Sequence, residues 1–379
     1  MAAAPRIVIV GGGIAGASLA WTLAVRRGVA PLLLEREAQC GSHSTGRSAA
    51  LYMPSYGPPA VRAATRASGA FYRAPPAGFA AQPLLAARGA LHVALADDPD
   101  AATRLAALRA QLAAAGAPAR ELDAAACLAR CPVLRPELVL GGLLEDEALD
   151  MDVDAILQGF LRGARAAGAE VRCDAELLDA ARVDGRWRLR TRAATIDADI
   201  VVDAAGAWAD ALARQAGVAP IGLQPKRRSA FLFDAPAVDG WRDWPTVIDL
   251  AERFYFKPDA GCLLGSPANA DAVEPHDVQP EEFDIASGIW AIEQATTLSI
   301  RRPRATWAGL RSFVADGEPV VGFDARADGW FWLAGQGGYG IQSAPGLARA
   351  AAALLLDHAL DAELLDAGLR ADAIAPGRG

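Results

Sequence analysis

The chain contains 379 residues, of which 53% are hydrophobic and 22% charged, and its formal net charge is −8 at pH 7. This composition excludes a disordered or fibrous chain, and the length allows two domains that each bury a sizeable core. The acidic balance argues against nucleic acid as a partner, because nucleic-acid-binding surfaces carry an excess of Lys and Arg.

The cysteines and the longest run of uncharged residues indicate in which cellular compartment the protein is expected. Five cysteines occur without a metal-ligand spacing, which predicts free thiols in a reducing compartment and no metal site. Residues 7–25 carry no charge and approach the length of a membrane span. Three consecutive glycines at 11–13 argue against one continuous helix, so we expect a strand, a turn and a helix there. No other segment resembles a membrane span, and the expected location is the cytoplasm.

The first elements form one strand–helix–strand unit. Residues 6–10 are rich in β-branched side chains and predict a buried strand. An alanine-rich helix is predicted to end near Arg27, and a second apolar strand ends at Glu35. Two strands joined through a helix lie parallel in one sheet.

The turn between that first strand and its helix reads Gly-Gly-Gly-Ile-Ala-Gly over residues 11–16, which matches G-x-G-x-x-G. In this pattern Gly11 permits the tight turn, Gly13 lets a pyrophosphate approach the backbone, and Gly16 lets the helix pack close to the strand. The helix N-terminus adds free N–H groups for the phosphates. Glu35 can accept hydrogen bonds from ribose hydroxyls and disfavours the 2′-phosphate of NADP.

The middle of the chain is less regular. Between residues 60 and 130, alanine-rich segments predict helices interrupted by prolines. Further strands are predicted at 186–192, 199–203, 228–234, 253–264 and 329–334. A glycine-rich loop and a helix rich in alanine and leucine follow the last strand. Strand-to-helix units therefore occur at both ends of the chain, and the nucleotide-binding domain is predicted to be discontinuous.

A polar loop follows the second strand, with the sequence Ser-His-Ser-Thr-Gly-Arg-Ser over residues 42–48. Its hydroxyl groups and guanidinium are suited to hold a second stretch of phosphate or a ribityl chain. An ordinary polar loop is the alternative interpretation. We assign His43 a positioning role rather than a catalytic one, because its neighbours suit phosphate contacts.

A second G-x-G-x-x-G, at residues 335–340, raises the alternative of a reductase that binds both FAD and NAD. No strand ending in an acid follows it, because the predicted helix runs on to His358. We therefore expect this loop and the helix N-terminus to face a flavin ring, where the helix dipole stabilises negative charge.

Arg228, Tyr255 and Arg311 are candidates for binding a carboxylate, because an arginine fork pairs with both carboxylate oxygens. Taken one at a time, such arginines are more often surface residues. A Ser-His-Asp hydrolase is not supported, since the sequence has no G-x-S-x-G elbow.

These features together resemble the FAD-dependent D-amino-acid oxidase superfamily of the glycine or sarcosine oxidase type, and within it the bacterial FAD-dependent D-arginine dehydrogenases. The resemblance extends over nearly the whole chain. It is carried by residues 11–16, 34–39, 43–50, 204–208, 224–231, 266–271, 306–317 and 336–342.

The resemblance implies an α/β plus α+β fold. A doubly wound, Rossmann-like FAD-binding domain would comprise residues 1–85, 145–222 and 305–379. A substrate domain built on an antiparallel sheet would comprise residues 86–144 and 223–304.

The resemblance also implies non-covalent FAD, since no matching cysteine lies near the C-terminal loop. Val171 would touch the adenine side through its backbone. The residues expected to contact FAD are Gly11, Gly13, Ala15, Gly16, Glu35, Arg36, Ser44, Thr45, Gly46, Arg47, Ser48, Ala49, Val171, Gly206, Gly337, Gly338, Tyr339, Gly340, Ile341 and Gln342.

The implied reaction is hydride transfer from the substrate Cα to flavin N5, which gives an imine that hydrolyses to a 2-oxo acid and ammonia. Arg228, Tyr255 and Arg311 would bind the substrate carboxylate, and the Gly338 carbonyl would hold the amino group. Tyr56 would lie on a loop that covers the site. The expected partners are a small D-amino acid and an electron acceptor, either a quinone or oxygen.

The sequence departs from the arginine-oxidising group at Leu51, Met53 and Ala90, where that group has histidine, threonine and glutamate. The expected side-chain pocket is therefore apolar, and D-arginine should be a poor substrate. Two alternatives stay open from the sequence: oxidation of a secondary or N-methyl amino acid, and a non-catalytic flavin-binding module.

Overall fold

The computed structural model describes residues 5–378. Its strands are β1 (Ile7–Val10), β2 (Leu32–Leu34), β3 (Leu51–Tyr52), β4 (Leu85–Ala87), β5 (Ala90–Leu95), β6 (Arg120–Asp123), β7 (Val139–Glu145), β8 (Leu149–Met151), β9 (Glu170–Arg172), β10 (Leu177–Val183), β11 (Arg186–Thr191), β12 (Thr195–Ala198), β13 (Ile200–Asp203), β14 (Gln224–Phe233), β15 (Thr246–Asp249), β16 (Tyr255–Asp259), β17 (Cys262–Ser266), β18 (Asp271–Ala272), β19 (Ala305–Phe313), β20 (Val320–Phe323) and β21 (Trp330–Ala334). Its helices are α1 (Ile14–Trp21), α2 (Pro59–Arg73), α3 (Ala101–Ala114), α4 (Ala124–Arg130), α5 (Val153–Ala166), α6 (Ala209–Gln215), α7 (Glu282–Ala295), α8 (Gly340–Leu356), α9 (Ala362–Asp366) and α10 (Ala371–Ile374).

The first sheet has the strand order β20-β21-β13-β1-β2-β9, with every neighbouring pair parallel except β20 and β21. The central strand β1 is buried on both faces, as its run of Ile and Val predicts. Ile7 and Ile9 pack towards α1, α5 and α8, whereas Val8 and Val10 pack towards the small sheet β10-β11-β12. The predicted nucleotide-binding sheet is therefore confirmed.

The predicted helix after the glycine turn consists of α1 followed by a π-helical turn over Thr22–Arg26. The Thr22 hydroxyl donates to the Ser18 carbonyl at 2.8 Å, which fits a local change in the helical hydrogen-bond pattern. The chain leaves the helix through Gly28, whose φ is +66°. The helical region therefore ends at Arg26, close to the predicted end near Arg27.

The second sheet has the order β18-β14-β17-β16-β15-β5-β7-β6, and β19 also pairs with β14. All its pairs are antiparallel except the parallel pair β15 and β5. Its buried aromatic and aliphatic side chains form a core of their own, which includes Phe231, Phe256 and Ile292. The predicted fold class, a nucleotide-binding α/β part and a second part built on an antiparallel sheet, is therefore confirmed.

Three details differ from the sequence predictions. The segment 60–130 contains strands β4, β5 and β6 as well as helices, and β5 escaped notice because all six of its residues are buried and none alternates with polar positions. The predicted strand 253–264 is the hairpin β16–β17, which turns at Ala260 and Gly261. Residues 305–313 form β19 of the second sheet, although the predicted division assigns them to the FAD-binding domain.

Candidate active site

A cavity of about 740 Å³ lies between the carboxyl ends of the parallel strands and one face of the second sheet. Residues that follow β1, β2, β13 and β21 line one side, and residues of β14, β15, β16 and β19 line the other. In open α/β sheets, ligands bind outside the carboxyl ends of the strands, so this is the expected position for a nucleotide. The volume is within the range of cofactor and ligand sites.

The glycine turn has the geometry that its sequence predicts. Gly11 has φ of +113°, and a Cβ there would lie 2.3 Å from the Ala204 carbonyl oxygen. A Cβ on Gly16 would lie 2.0 Å from the Gly11 carbonyl oxygen, so the helix and strand can approach only at a glycine. Gly13 and Ala15 line the cavity. The turn therefore presents bare backbone to a bound phosphate.

Glu35 is 8% exposed and lines the cavity beside this turn. Its Oε2 accepts a hydrogen bond from Gly12 N–H at 2.8 Å, and its Oε1 accepts one from Glu37 N–H at 2.9 Å. Each carboxylate oxygen keeps a second lone pair, which is available to a ribose hydroxyl. The fold thus fixes the carboxylate before any ligand arrives.

Arg36 and Trp208 meet at the same end of the cavity, with the Arg36 guanidinium 4.0 Å from the centre of the Trp208 ring. His43 Nε2 lies 2.8 Å from Glu37 Oε1, and its ring lies 4.7 Å from that of Trp208. These contacts agree with a positioning role for His43. Sequence reasoning assigned no specific role to Trp208, because one tryptophan after a glycine turn carries no motif of its own.

The polar loop 42–48 joins the two sheets. Thr45 Oγ1 accepts a hydrogen bond from Ile14 N–H at 3.0 Å, and Ser44 Oγ donates to the Leu310 carbonyl at 2.6 Å. The Arg47 guanidinium donates to the carbonyls of Val278 and Ala308 and pairs with Asp277. Arg47 thus holds the loop against the second sheet, in addition to lining the cavity.

The remaining predicted cofactor residues divide into three groups. Ser48, Ala49, Gly206, Gly337, Gly338, Gly340, Ile341 and Gln342 line the cavity. Gly46 packs against the Gly41 carbonyl, and Tyr339 contacts Tyr56 edge to face with ring centres 5.0 Å apart. Val171 lies in β9 opposite Leu33, half-buried against the helix-side core. A contact between Val171 and adenine stays a prediction.

Gln342 connects the C-terminal helix to the loop that carries Tyr56. Its Oε1 accepts a hydrogen bond from Met53 N–H at 3.1 Å, and its Nε2 donates to the Tyr56 carbonyl at 3.3 Å. Tyr56 is 40% exposed at the cavity. The fold therefore positions the Tyr56 loop from α8, whose N-terminus is beside the cavity.

Arg228 and Arg311 face the same part of the cavity from neighbouring strands β14 and β19. Within residues 5–378, neither guanidinium forms an ion pair with a carboxylate. Burial and the nearby charge of Arg311 lower the pKa of Arg228 below its usual value. A Cβ on Gly338 would lie 2.0 Å from Arg311 Nη2, so the guanidinium packs directly on that glycine. Arg228 donates a hydrogen bond through Nε to the Asn269 carbonyl, which carries no charge. Two half-buried cations without a counter-ion form a site for an anion.

Tyr255 and Tyr56 complete this anion site. Although the Tyr56 side chain is open to the cavity, desolvation of its hydroxyl there acts to raise its pKa. The charges of Arg311 and Arg228 outweigh that effect, and the pKa lies below its usual value. Tyr255 lines the cavity from the start of β16. The structure thus brings together Arg228, Tyr255 and Arg311, which the resemblance assigned to the substrate carboxylate, and Tyr56 of the loop expected to cover the site.

Strand register determines which side chains form the wall of the cavity beside the anion site, that is, the face of β5, β7, β15 and β16 that carries His92 and Ile248. Ile248 pairs with Tyr255 on one side and with His92 on the other, so the three side chains share a face. The next row on that face consists of Thr246, Ala90 and Glu145. Leu51 and Met53 line the cavity, as predicted, whereas Ala90 is completely buried and packs against Met53.

The wall also contains polar groups that the sequence analysis missed. His92 lines the cavity at 9% exposure, and its Nε2 lies 2.8 Å from Glu145 Oε1. Glu145 also accepts a hydrogen bond from Ser55 Oγ. The pocket is therefore not apolar throughout. No local pattern marks these residues, because β5 and β7 become neighbours only in the folded sheet.

The profile of the family DAO, FAD dependent oxidoreductase, matches residues 6–354. The chain belongs to this family. FAD is accordingly its cofactor. The bare glycine turn, the preorganised Glu35 and the cavity volume fit such a dinucleotide, and the residues that line the cavity on the side of the parallel sheet would hold it.

Known proteins that resemble this DAO-family chain include enzymes with different names. It is 29% identical over 286 residues to D-amino acid dehydrogenase of Cereibacter sphaeroides, which covers 70% of this chain and 61% of the relative. It is 24% identical over 241 residues to glycine oxidase of Bacillus licheniformis, covering 60% of each. The structure of glycine oxidase from Geobacillus kaustophilus superposes with a TM-score of 0.82 at 22% identity, covering 99% of this chain and 100% of that one.

These matches establish an FAD-dependent oxidoreductase that is related to enzymes of amino-acid oxidation. Matches to curated relatives span 36% to 61% of their lengths. Across residues 5–378, every helix is too short or too polar to cross a membrane.

Proposed function

We propose that this chain catalyses the FAD-dependent oxidative deamination of D-amino acids, with a preference for largely apolar side chains. The observation that carries this proposal is the pair Arg228 and Arg311, which face one cavity with no carboxylate of the described chain to neutralise them. A substrate carboxylate would supply the missing charge. Leu51, Met53 and Ile248 provide apolar surface beside it.

The residues of the chain would fix two substituents of the substrate Cα. Arg228 and Arg311, with Tyr255, would bind the carboxylate, and the Gly338 carbonyl would accept a hydrogen bond from the amine. Bound FAD would supply the acceptor for the hydride from Cα, and the oxidised substrate, an imine, would hydrolyse to a 2-oxo acid and ammonia. The side chain then has one remaining direction, along the wall of β15 and β5, which favours one enantiomer.

The proposal also covers how the flavin is attached, what reoxidises it and where the protein acts. We expect FAD to be held without a covalent bond, because residues 335–342 of the C-terminal loop, which line the cavity except for Tyr339, include no cysteine. We expect a quinone or oxygen to reoxidise it. All five cysteines are free thiols, which suits the reducing conditions of the cytoplasm.

The test is anaerobic titration of the purified holoenzyme, followed by the flavin absorbance near 450 nm. D-Leucine and D-phenylalanine should bleach the flavin faster than their L enantiomers, D-arginine, sarcosine or N-methyl amino acids. Faster reduction by an N-methyl amino acid would favour the secondary-amine alternative. No reduction by any amine would favour a non-catalytic flavin protein, and bleaching by NADH would favour a reductase. Acid precipitation should leave FAD in the supernatant.

A further inference from the structure

We propose that His92 and Thr246 form a hydrogen-bonding end to the side-chain pocket, and that it selects D-amino acids with an apolar body and an uncharged hydroxyl terminus, such as a phenol. This inference rests on the proposed deamination of D-amino acids and names the substrate class within it. It is based on strand register, on hydrogen bonds and on one unpaired hydroxyl.

Strand register places His92 at the right distance from the anion site. Tyr255, Ile248 and His92 are direct neighbours on three adjacent strands and point to the same face. Two strand spacings separate Tyr255 from His92, which is about 10 Å. A substrate with its carboxylate at Tyr255 therefore reaches His92 only with a long side chain. Ile248 lies between them and offers apolar contact to the body of that side chain.

The hydrogen bonds of Glu145 determine which atom of His92 is available. Glu145 Oε2 accepts from Ser55 Oγ, and Oε1 lies 2.8 Å from His92 Nε2. A carboxylate only accepts hydrogen bonds, so Nε2 carries a proton and faces Glu145. In the described chain, Nδ1 takes part in no hydrogen bond. In the neutral ring Nδ1 is an acceptor, and it can accept a hydrogen bond from a substrate hydroxyl.

Thr246 supplies the complementary group. It lines the cavity one row from His92 on the same face, and its Oγ1 is buried with no hydrogen-bond partner within residues 5–378. Buried hydroxyls almost always have a partner, so this hydroxyl beside the cavity is available to a hydroxyl group of a substrate. One substrate hydroxyl could donate to His92 and accept from Thr246. Met53 packs over Ala90 in the same row, and its flexible thioether can move to admit that hydroxyl.

Charge explains why the terminus should be neutral. The side chains of His92 and Glu145 are 11% and 7% exposed, and Glu145 already has two partners. An ionised substrate tail buried here would lack a free counter-ion, and its desolvation would oppose binding. A hydroxyl brings no charge and satisfies both unused groups.

A purely structural role is the competing explanation, because Ser55, Glu145 and His92 also tie the Tyr56 loop to the sheet. Two substitutions separate the roles. His92→Gln retains an N–H donor for Glu145 and has no acceptor at the position of Nδ1, because its amide oxygen lies beside the donor instead. Thr246→Val retains the shape of the side chain and removes only the unpaired hydroxyl. Thr195→Val in the small sheet is the matched control for replacing a strand threonine.

The experiment measures kcat/KM for D-tyrosine and D-phenylalanine, which differ by one hydroxyl, together with Tm for each variant. Wild type and Thr195→Val should prefer D-tyrosine by about tenfold, and each pocket variant should reduce that ratio by about 3- to 10-fold, since one hydrogen bond is lost. Thr246→Val should have a Tm equal to or above that of wild type, because it removes an unpaired buried hydroxyl.

Each alternative outcome has a distinct meaning. Equal rates for the two substrates in wild type, or a ratio unchanged in both variants, would overturn the subsite while leaving the deamination of D-amino acids intact. A lower Tm for Thr246→Val with equal losses for both substrates would assign the residue a structural role and also overturn the subsite. If neither D-amino acid reduces the flavin but an N-methyl amino acid does, the proposed function itself fails.

Discussion

The two sides of the cavity differ in what forms them: the nucleotide side, at the ends of the parallel strands, and the wall beside the anion site. The nucleotide side consists of backbone and a few side chains from short continuous segments, such as residues 11–16, at the ends of parallel strands. The wall consists of single residues from β5, β7, β15 and β16, which are neighbours only through register. The first construction depends on space for the main chain, and the second depends on which side chains meet across strands.

This difference implies two kinds of response to substitution. A side chain added at the glycine turn meets backbone atoms that cannot move, so the effect should be abrupt. A change in the wall alters one contact among several, so the effect should be graded. The following four predictions test this contrast and are arranged from the largest expected effect to the smallest.

Gly11→Val should abolish flavin binding. Its Cβ would lie 2.3 Å from a backbone oxygen, and its φ of +113° disfavours a β-branched residue. The purified protein should be colourless, as measured by the ratio of absorbance at 450 and 280 nm. Gly28→Val is the control, because Gly28 also has positive φ, at +66°, but a Cβ there would have no neighbouring atom within 4 Å. A yellow Gly11→Val protein would contradict the role of the turn.

Arg311→Met should lower kcat/KM for the best D-amino acid by about 2–5 kcal/mol, or roughly 30- to several-thousand-fold, because the substrate carboxylate loses a charge-assisted partner. The flavin should remain bound, since Arg311 faces the second sheet's side of the cavity. Arg304→Met is the control, because Arg304 precedes the same strand and pairs with Asp234 at the surface. An effect of less than about threefold would show that Arg311 does not bind substrate.

Ala90→Glu should destabilise the fold by about 3 kcal/mol, because it buries a second carboxylate directly opposite Glu145. A gain in activity towards cationic substrates would require position 90 to be open to the cavity, and Ala90 is completely buried. Ala87→Glu, at an exposed position of β4, should change stability little. The measurement is the urea midpoint of both variants. Unchanged stability of Ala90→Glu, with faster oxidation of D-arginine, would place residue 90 in contact with substrate.

Tyr56→Phe should extend activity to higher pH. Below its pKa Tyr56 is neutral, and above it the phenolate would pair with Arg311 and compete with the substrate carboxylate. Because the arginines lower this pKa below its usual value, kcat/KM should fall at alkaline pH as the phenolate forms. In Tyr56→Phe that fall should move to higher pH. Tyr72→Phe is the control, because burial raises the pKa of Tyr72 well above its usual value. An identical alkaline limb in Tyr56→Phe would show that another group titrates.

The sequence alone determined the nucleotide side. The positions of Gly11, Gly16 and Glu35 depend on local geometry, which the order of strand, turn and helix already specifies. It also singled out Arg228 and Arg311, through a resemblance spread over the whole chain. The geometry of the glycine turn agrees with its prediction because it depends on a short segment whose surroundings repeat in every fold of this kind.

Only the tertiary structure decided the substrate wall. The apolar run of β5 looked helical because both of its faces are buried, so no alternation revealed a strand. Its position between β15 and β7 brings His92 to Glu145 across 53 residues of sequence and covers Ala90 completely. Such contacts follow from pairing between distant strands, and a shift of one residue would turn every side chain to the other face. Register is a property of the whole sheet, and for that reason no local pattern in this sequence could have specified the pocket.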